Sequence, residues 1–324
     1  MQAVWLENNA LSLRDDISVP EPGKSEALVK VRLAGICGTD LALIKGYHSF
    51  SGIPGHEFVG EIVRASDRPE RMGERVVGEI NVACGRCAHC LANMPRHCEQ
   101  RTALGVLNRN GAFTEYVCLP LENLISVPAG VSDEAAVFVE PLAAALEIRE
   151  QITIESSDFV LVIGAGRLGQ LIAQTLSLTG CNLQVSARYK NQRDVLDTCN
   201  ISWIDEDSIP ASYYNIVVEA TGSVVGFAAA RKAVRARGTI VLKSTYNEQV
   251  LVNFSSIVVD EITLVGSRCG AFGPAINLLK KSQVDPTLLI ERRYALKDAR
   301  AALAHASQPG ALKVLLQVAG AKFE

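Results

Sequence analysis

Residues 158–180 read DFVLVIGAGRLGQLIAQTLSLTG, and the way they fold governs the reading of everything after them. FVLVI is a short run of large and β-branched residues with no polar break, as in a strand covered on both faces. Glycines then stand at 164, 166 and 169, the spacing G-x-G-x-x-G, and from Arg167 the apolar residues recur at helical intervals until Gly180. A strand, a tight turn and a helix in this order form a cradle for a dinucleotide pyrophosphate. Gly164 permits the turn, Gly166 lets the backbone approach the phosphates, and Gly169 lets the helix lie close on the strand. Arg167 and Leu168 fall in the first helical turn, where unpaired N–H groups and the helix dipole face the anion. The glycine spacing alone is a weak signal; its position between strand and helix makes it a dinucleotide motif.

Working outward, apolar runs continue at NLQVSA, ISWI, NIVVEATG, GTIVLKS and EITLVGS, several of them separated by helix-length segments such as VVGFAAARKAVRARG. Six strands alternating with helices predict a doubly wound parallel sheet, hence an α/β class. Residues 1 to about 140 have another texture, dense in Gly and Pro with short runs such as ALVKVRLAGI and FVGEIVRA, and predict an all-β region with irregular loops. After about 270 come a helical segment, PAINLLKKSQV, and then ALKDARAALAHASQPGALKVLLQV, a helix, a turn and a last apolar strand. If that strand returns to the first region, residues 1–140 plus 275–324 form one domain, interrupted by a dinucleotide-binding domain at 141–274.

An acid about twenty residues beyond the glycines would take the ribose 2′-hydroxyl of NAD. The segment LQVSARYKNQR has none; Ser186, Arg188, Lys190 and Arg193 can instead meet a 2′-phosphate, which favours NADP(H), although a solvated basic loop has the same composition. Thr221 in EATG and the segment GSRCG follow strands on the same side and are candidates for the nicotinamide pocket.

Four of the nine cysteines lie in CGRCAHCLANMPRHC, at positions 84, 87, 90 and 98. Four thiolates along one short loop match a closed structural zinc site, which does no chemistry. Cys118, Cys181, Cys199 and Cys269 sit in apolar or mixed contexts and read as small core residues. Cys37 in AGICGTD, with His56 and Glu57 in GIPGHEFVG, offers a thiolate, an imidazole and a carboxylate, a mixed set typical of zinc with one open position. Glu140 in VFVEPLAAAL is a carboxylate in an apolar segment and needs a cation or a hydrogen-bonding partner there.

Taken in order, Cys37-Gly38-Thr39-Asp40, Gly55-His56-Glu57, the four-cysteine loop, Glu140-Pro141-Leu142 and the glycine turn resemble the zinc-dependent medium-chain dehydrogenase/reductase family, nearest its sorbitol and threonine dehydrogenase branch. The resemblance covers essentially the whole chain. It implies a GroES-like β domain interrupted by a Rossmann domain, with substrate in the cleft between them. It places Cys37, His56 and Glu140 on catalytic zinc ligand positions and Glu57 on a residue able to approach or leave the metal. Asp40 falls on the carboxylate that orients the histidine, Thr39 on the hydroxyl that takes the substrate proton, and Cys84, Cys87, Cys90 and Cys98 on the structural zinc ligands. One departure stands out: many relatives carry a histidine three residues after the relay hydroxyl, and this chain has Ala42, so that either the proton leaves through the cofactor ribose and water or another group serves, with His48 in the loop GYHSFSG available for that or for lining the substrate pocket.

The expected activity is therefore a zinc-dependent transfer of hydride between a small alcohol or polyol and a nicotinamide, in a homodimer or homotetramer. The alternatives are a non-catalytic dinucleotide-binding or redox-sensing protein and a zinc-free quinone-reductase-like enzyme. A formal charge of -3 with no basic stripe argues against nucleic acid as a partner. The absence of a signal-like N-terminus or a bilayer-length apolar run predicts a cytoplasmic protein without membrane association.

Overall fold

The computed structural model describes residues 1–47, 49–246 and 248–318. Its contacts divide the chain into two compact units, Met1–Glu140 together with the chain from Ala275 onward, and Pro141–Pro274. Among the described residues no helix is long and apolar enough to cross a membrane.

The first unit is built on a seven-stranded sheet in the order Leu124–Ser126, Arg75–Gly78, Glu57–Arg64, Glu26–Gly35, Lys313–Gln317 and Ile290–Ala295, with Tyr116–Pro120 also paired to Glu26–Gly35. Glu26–Gly35 organises it, because it is long enough to pair with three neighbours at different points along its length. Its side chains and those of its partners close over Val29, Val31, Ile36, Phe58, Ile62, Phe113, Val314 and Leu316, all at most 2% exposed. The last strand of the chain thus does enter the first sheet, pairing antiparallel with residues 33–35.

Short helices interrupt what the sequence predicts as an all-β region. Gly38–Ile44 is held by a capping box in which the Asp40 side chain reaches back to the backbone N–H of Cys37. Ala88–Leu91 lies inside the cysteine loop, and Asp133–Ala136 and Val139–Gln151 lead into the second unit. Gly38–Ile44, Ala88–Leu91 and Asp133–Ala136 have too few residues for helical periodicity to show, and the first and last of these are held by local capping. The strand Ile290–Ala295 also escapes the sequence reading, because its ERRY residues are charged or polar and most are exposed.

The second unit is a six-stranded sheet in the order Trp203–Ile204, Asn182–Ser186, Phe159–Ile163, Tyr214–Glu219, Val234–Leu242 and Thr263–Gly266. Every pairing is parallel. Phe159–Ile163, the stretch first quoted, lies between the second and fourth strands in chain order. The strand order therefore reverses direction beside the glycine turn, the place where doubly wound sheets bind ligands.

Candidate functional site

In the first unit, three donors from two loops converge. One ligand atom each from Cys37, His56 and Glu57 lies within 4.8 Å of the others, with His56 and Glu57 buried. Asp40 fastens the two loops together. One of its oxygens accepts the Cys37 N–H at 2.8 Å, and the other accepts the Gly55 N–H at 3.2 Å and lies 3.2 Å from His56 Nδ1. The last is a charge contact without good hydrogen-bond alignment, so His56 Nδ1 counts as a buried donor without a full partner. Gly55 is required by its backbone: its φ is +95°, and a Cβ there would lie 2.3 Å from the Phe113 ring.

Burial disfavours an imidazolium at His56, yet Asp40 and Cys37, by charge and by hydrogen bonding, outweigh it and hold the group well above its ordinary pKa. The site thus draws positive charge to His56. A thiolate, an imidazole and a carboxylate around that demand fit a zinc ion. Thr39 Oγ1 is 3.8 Å from Cys37 Sγ and half-buried. Glu140 is half-buried in the first turn of Val139–Gln151. His48 lies outside the described residues.

The four loop cysteines also converge, with all four sulfur atoms within 4.8 Å of one another. Cys87 and Cys90 sulfurs are 3.5 Å apart, and the Cys84 N–H donates to Cys98 Sγ at 3.3 Å. Backbone N–H groups of Cys90 and Glu99 favour a thiolate at Cys87 and lower its pKa to about 6. Desolvation and the neighbouring thiols push Cys90 up to about 12. A cation is the natural way to let all four shed their protons, and the donor set fits zinc.

In the second unit the glycine turn has the shape its sequence predicts. Gly164 adopts φ +101°. A Cβ on Gly169 would lie 1.8 Å from the Gly164 carbonyl oxygen, so helix and turn touch there. A Cβ on Gly166 would meet nothing within 4 Å among the described residues, which leaves space beside this glycine at the N-terminus of the helix Arg167–Ser177. That open cradle fits a pyrophosphate. At the end of the second strand, Ser186 Oγ is buried and has no hydrogen-bond partner among the described residues.

The basic residues beyond Ser186 are engaged. Arg188 pairs with Glu206 at 2.7 Å, Lys190 with Asp194 at 2.8 Å, and Arg193 with Asp205 while stacking 4.3 Å over the Trp203 ring. The acids absent from the strand end thus come from the helix Lys190–Thr198 itself, as Asp194, and from the turn after the strand Trp203–Ile204, as Asp205 and Glu206. Thr221 is set by Glu219, whose fully buried carboxylate accepts the N–H groups of Thr221 and Gly222 and the hydroxyls of Thr221 and Tyr246. In GSRCG, Ser267 and the Arg268 carbonyl accept from Lys243 Nζ, and Gly270 packs where a Cβ would lie 1.9 Å from the Ala143 carbonyl.

One residue of the metal-ligand region is missed by the sequence reading. Lys313 opens the last strand, is 1% exposed, and pairs with Glu57. A lysine in the otherwise apolar run ALKVLLQV was the available signal.

Comparison with known proteins gives the geometry its context. Residues 23–129 match the family model described as the alcohol dehydrogenase GroES-like domain. The chain is 31% identical over 322 residues to a sorbitol dehydrogenase of Halalkalibacterium halodurans, covering 92% of this chain and 93% of that one. A proposed zinc-binding dehydrogenase from Sinorhizobium meliloti 1021, bound to NADP, superposes with a TM-score of 0.90 at 28% identity over 98% of both chains. A short chain alcohol dehydrogenase from Escherichia coli CFT073, complexed with NADH, gives the same TM-score of 0.90 and 28% identity over 98% of this chain and 99% of that one.

Proposed function

Because the chain belongs to the zinc-dependent medium-chain dehydrogenase/reductase family, we propose that it transfers hydride reversibly between a small alcohol or polyol and a nicotinamide cofactor. The observation that carries this reading is the convergence of Cys37, His56 and Glu57 on one buried point, with Asp40 behind the imidazole. Cys37, His56 and Glu140 would hold a catalytic zinc, with Glu57 able to approach it; Cys84, Cys87, Cys90 and Cys98 would hold a structural one. Bound at the first site, zinc supplies a Lewis acid that lowers the pKa of an alcohol hydroxyl and polarises a carbonyl. The nicotinamide supplies the hydride acceptor.

The chain's own residues do the rest. Asp40 holds the His56 ring and the Cys37 loop in one geometry, so that the donors need not reorganise during turnover. Thr39, whose hydroxyl is 3.8 Å from Cys37 Sγ, would take the hydroxyl proton. Ala42 has nothing with which to pass that proton on, and we assign the step to solvent to His48. In the second unit, Gly164, Gly166, Arg167, Leu168 and Gly169 would receive the pyrophosphate, Thr221 would contact the nicotinamide, and Ser186, Arg188, Lys190 and Arg193 would select NADP(H). Ser186 supports that selection with an unpartnered hydroxyl, and Arg188 with an exposed guanidinium.

A homodimer or homotetramer is supported by the edge strand Thr263–Gly266 and the exposed apolar side chains of Phe254, Val258 and Val259 close to it in sequence. Light scattering on the purified protein measures that directly.

The functional reading is tested by incubating zinc-loaded protein with a panel of alcohols, polyols and L-threonine, each with NADP+ and NAD+, and following reduced nicotinamide. Reduction with one substrate class, abolished by Cys37→Ser, is expected. Silence across the panel in protein that holds two zinc ions and binds NADPH would move the assignment to a substrate outside these classes or to a non-catalytic dinucleotide-binding protein.

A further inference from the structure

Gln170 is fully buried in the helix Arg167–Ser177, next to the last glycine of the turn, and the residues that follow it, Leu171, Ile172 and Ala173, are apolar and equally buried. Its amide bridges two segments of the second unit. Nε2 donates to the carbonyl oxygen of Ala165, inside the glycine turn, at 3.3 Å and to that of Gln192 at 2.9 Å. Gln192 lies in the first turn of the helix Lys190–Thr198 and is itself buried, and its Oε1 accepts the Tyr189 N–H at 3.4 Å. Arg193 closes the same turn by donating from Nε to the Ala187 carbonyl at 2.9 Å. The chain from 187 to 193 is therefore fastened within itself, and Gln170 fastens it to the glycine turn. Two carbonyl oxygens can be met only by the NH2 end of the amide, which fixes its orientation. Oε1 then points away from both; it is buried and has no donor among the described residues. A leucine or methionine of similar size would bury no such oxygen, so the two bonds at Nε2 are what offset the cost of an amide here.

We propose that Gln170 is a positioning residue for cofactor selection: it ties the pyrophosphate turn to the segment that reads the ribose 2′ position, and so sets how sharply NADP(H) and NAD(H) are told apart. The inference rests on the reading of the glycine turn as a dinucleotide site. The pyrophosphate and the ribose 2′ group are joined covalently in the ligand, so their spacing is nearly fixed. The protein can satisfy both together only if its turn and its 2′ segment are held at the matching separation. Recognition at the 2′ end runs through directional hydrogen bonds, which weaken with small displacements, whereas the backbone N–H groups of the turn meet the same pyrophosphate in either cofactor. Loosening the tie therefore costs discrimination more than it costs binding.

The test titrates the full chain with NADPH and with NADH by nucleotide fluorescence, which reads binding without turnover, and compares the ratio of the two Kd values in wild type and in Q170M. Methionine keeps the length of the side chain and removes both hydrogen bonds. Q170M is expected to unfold at nearly the wild-type Tm and to bring the ratio about two- to tenfold closer to one, the value of one hydrogen bond. Hydrogen exchange of the backbone amides of residues 190–193 should quicken severalfold in the same variant. Q170L removes the same bonds with a more compact side chain and gives the same readout should Q170M fail to fold. An unchanged ratio in a folded variant would overturn the proposal. So would an equal loss of affinity for both nucleotides, which would make Gln170 a support of the turn alone, and so would a wild-type ratio already near one, which would leave no selection to position. A wild-type protein that binds neither nucleotide would instead overturn the dinucleotide reading itself, which separates the two failures.

Discussion

Asp40 Oδ1 lies 3.2 Å from His56 Nδ1, and its other oxygen accepts the Cys37 backbone N–H at 2.8 Å, so one fully buried carboxylate sets the geometry of two metal-ligand candidates from different loops. Asp40→Asn keeps the shape and removes the charge. Affinity for the catalytic metal, or turnover, is expected to fall about 10–100-fold, while the cysteine-loop metal stays bound. Metal analysis after dialysis, paired with kinetics, measures this. Parallel loss of both metals would instead point to general misfolding.

The glycine turn makes two separable predictions. Gly169→Ala forces a Cβ to 1.8 Å from the Gly164 carbonyl oxygen, so the helix must move off the strand and both Tm and cofactor binding should fall. Gly166→Ala meets no protein atom within 4 Å and should leave Tm nearly unchanged while weakening NADPH binding about tenfold or more. Calorimetric unfolding and NADPH fluorescence titration distinguish them. Equal effects on Tm would deny the pyrophosphate role of Gly166.

Cys98 is the fully buried member of its cluster, and its sulfur accepts the Cys84 N–H. Cys98→Ser should take the protein from two zinc ions per chain to one and speed thermal inactivation severalfold, because a structural metal contributes folding free energy to the loop that holds it. The surviving zinc should support turnover at low temperature. Retention of both ions would show that three sulfurs suffice or that the cluster is not a zinc site.

Much of this fold was legible because its signals are local. Most of the parallel strands are short apolar runs bounded by turn or helix residues, although Val234–Leu242 starts earlier, in the charged VRAR that reads as part of a helix, and Phe159–Ile163 followed by Gly164 needs no distant information. The capped helix Gly38–Ile44 and the charged edge strand Ile290–Ala295 were not legible, since capping geometry and edge position appear only once neighbours are in place. The same divide runs through the site. Cys37, His56 and Glu57 are brought together as their motifs suggest, but Lys313 meets Glu57 from 256 residues away, a pairing that no window of sequence contains. The basic run Ser186–Arg193 was legible as composition, whereas Asp205 and Glu206, which pair with Arg193 and Arg188, arrive from beyond the next helix and strand.

That last pairing sets the cofactor prediction. Arg188 and Glu206 are both well exposed, and an exposed pair of this kind contributes roughly 0–1 kcal/mol. A 2′-phosphate, with greater charge and three acceptor oxygens, would displace Glu206 from Arg188 at little cost. Arg188→Asp should therefore leave Tm almost unchanged and lower the NADP+ to NAD+ ratio of kcat/KM about 10–100-fold, the value of one charge-assisted hydrogen bond. Glu206→Gln should raise the ratio, because the guanidinium no longer has to be released. If neither variant moves it, 2′-phosphate recognition does not run through Arg188. If Glu206→Gln lowers use of NAD+ alone, the carboxylate serves the ribose 2′-hydroxyl and NAD(H) is the working cofactor.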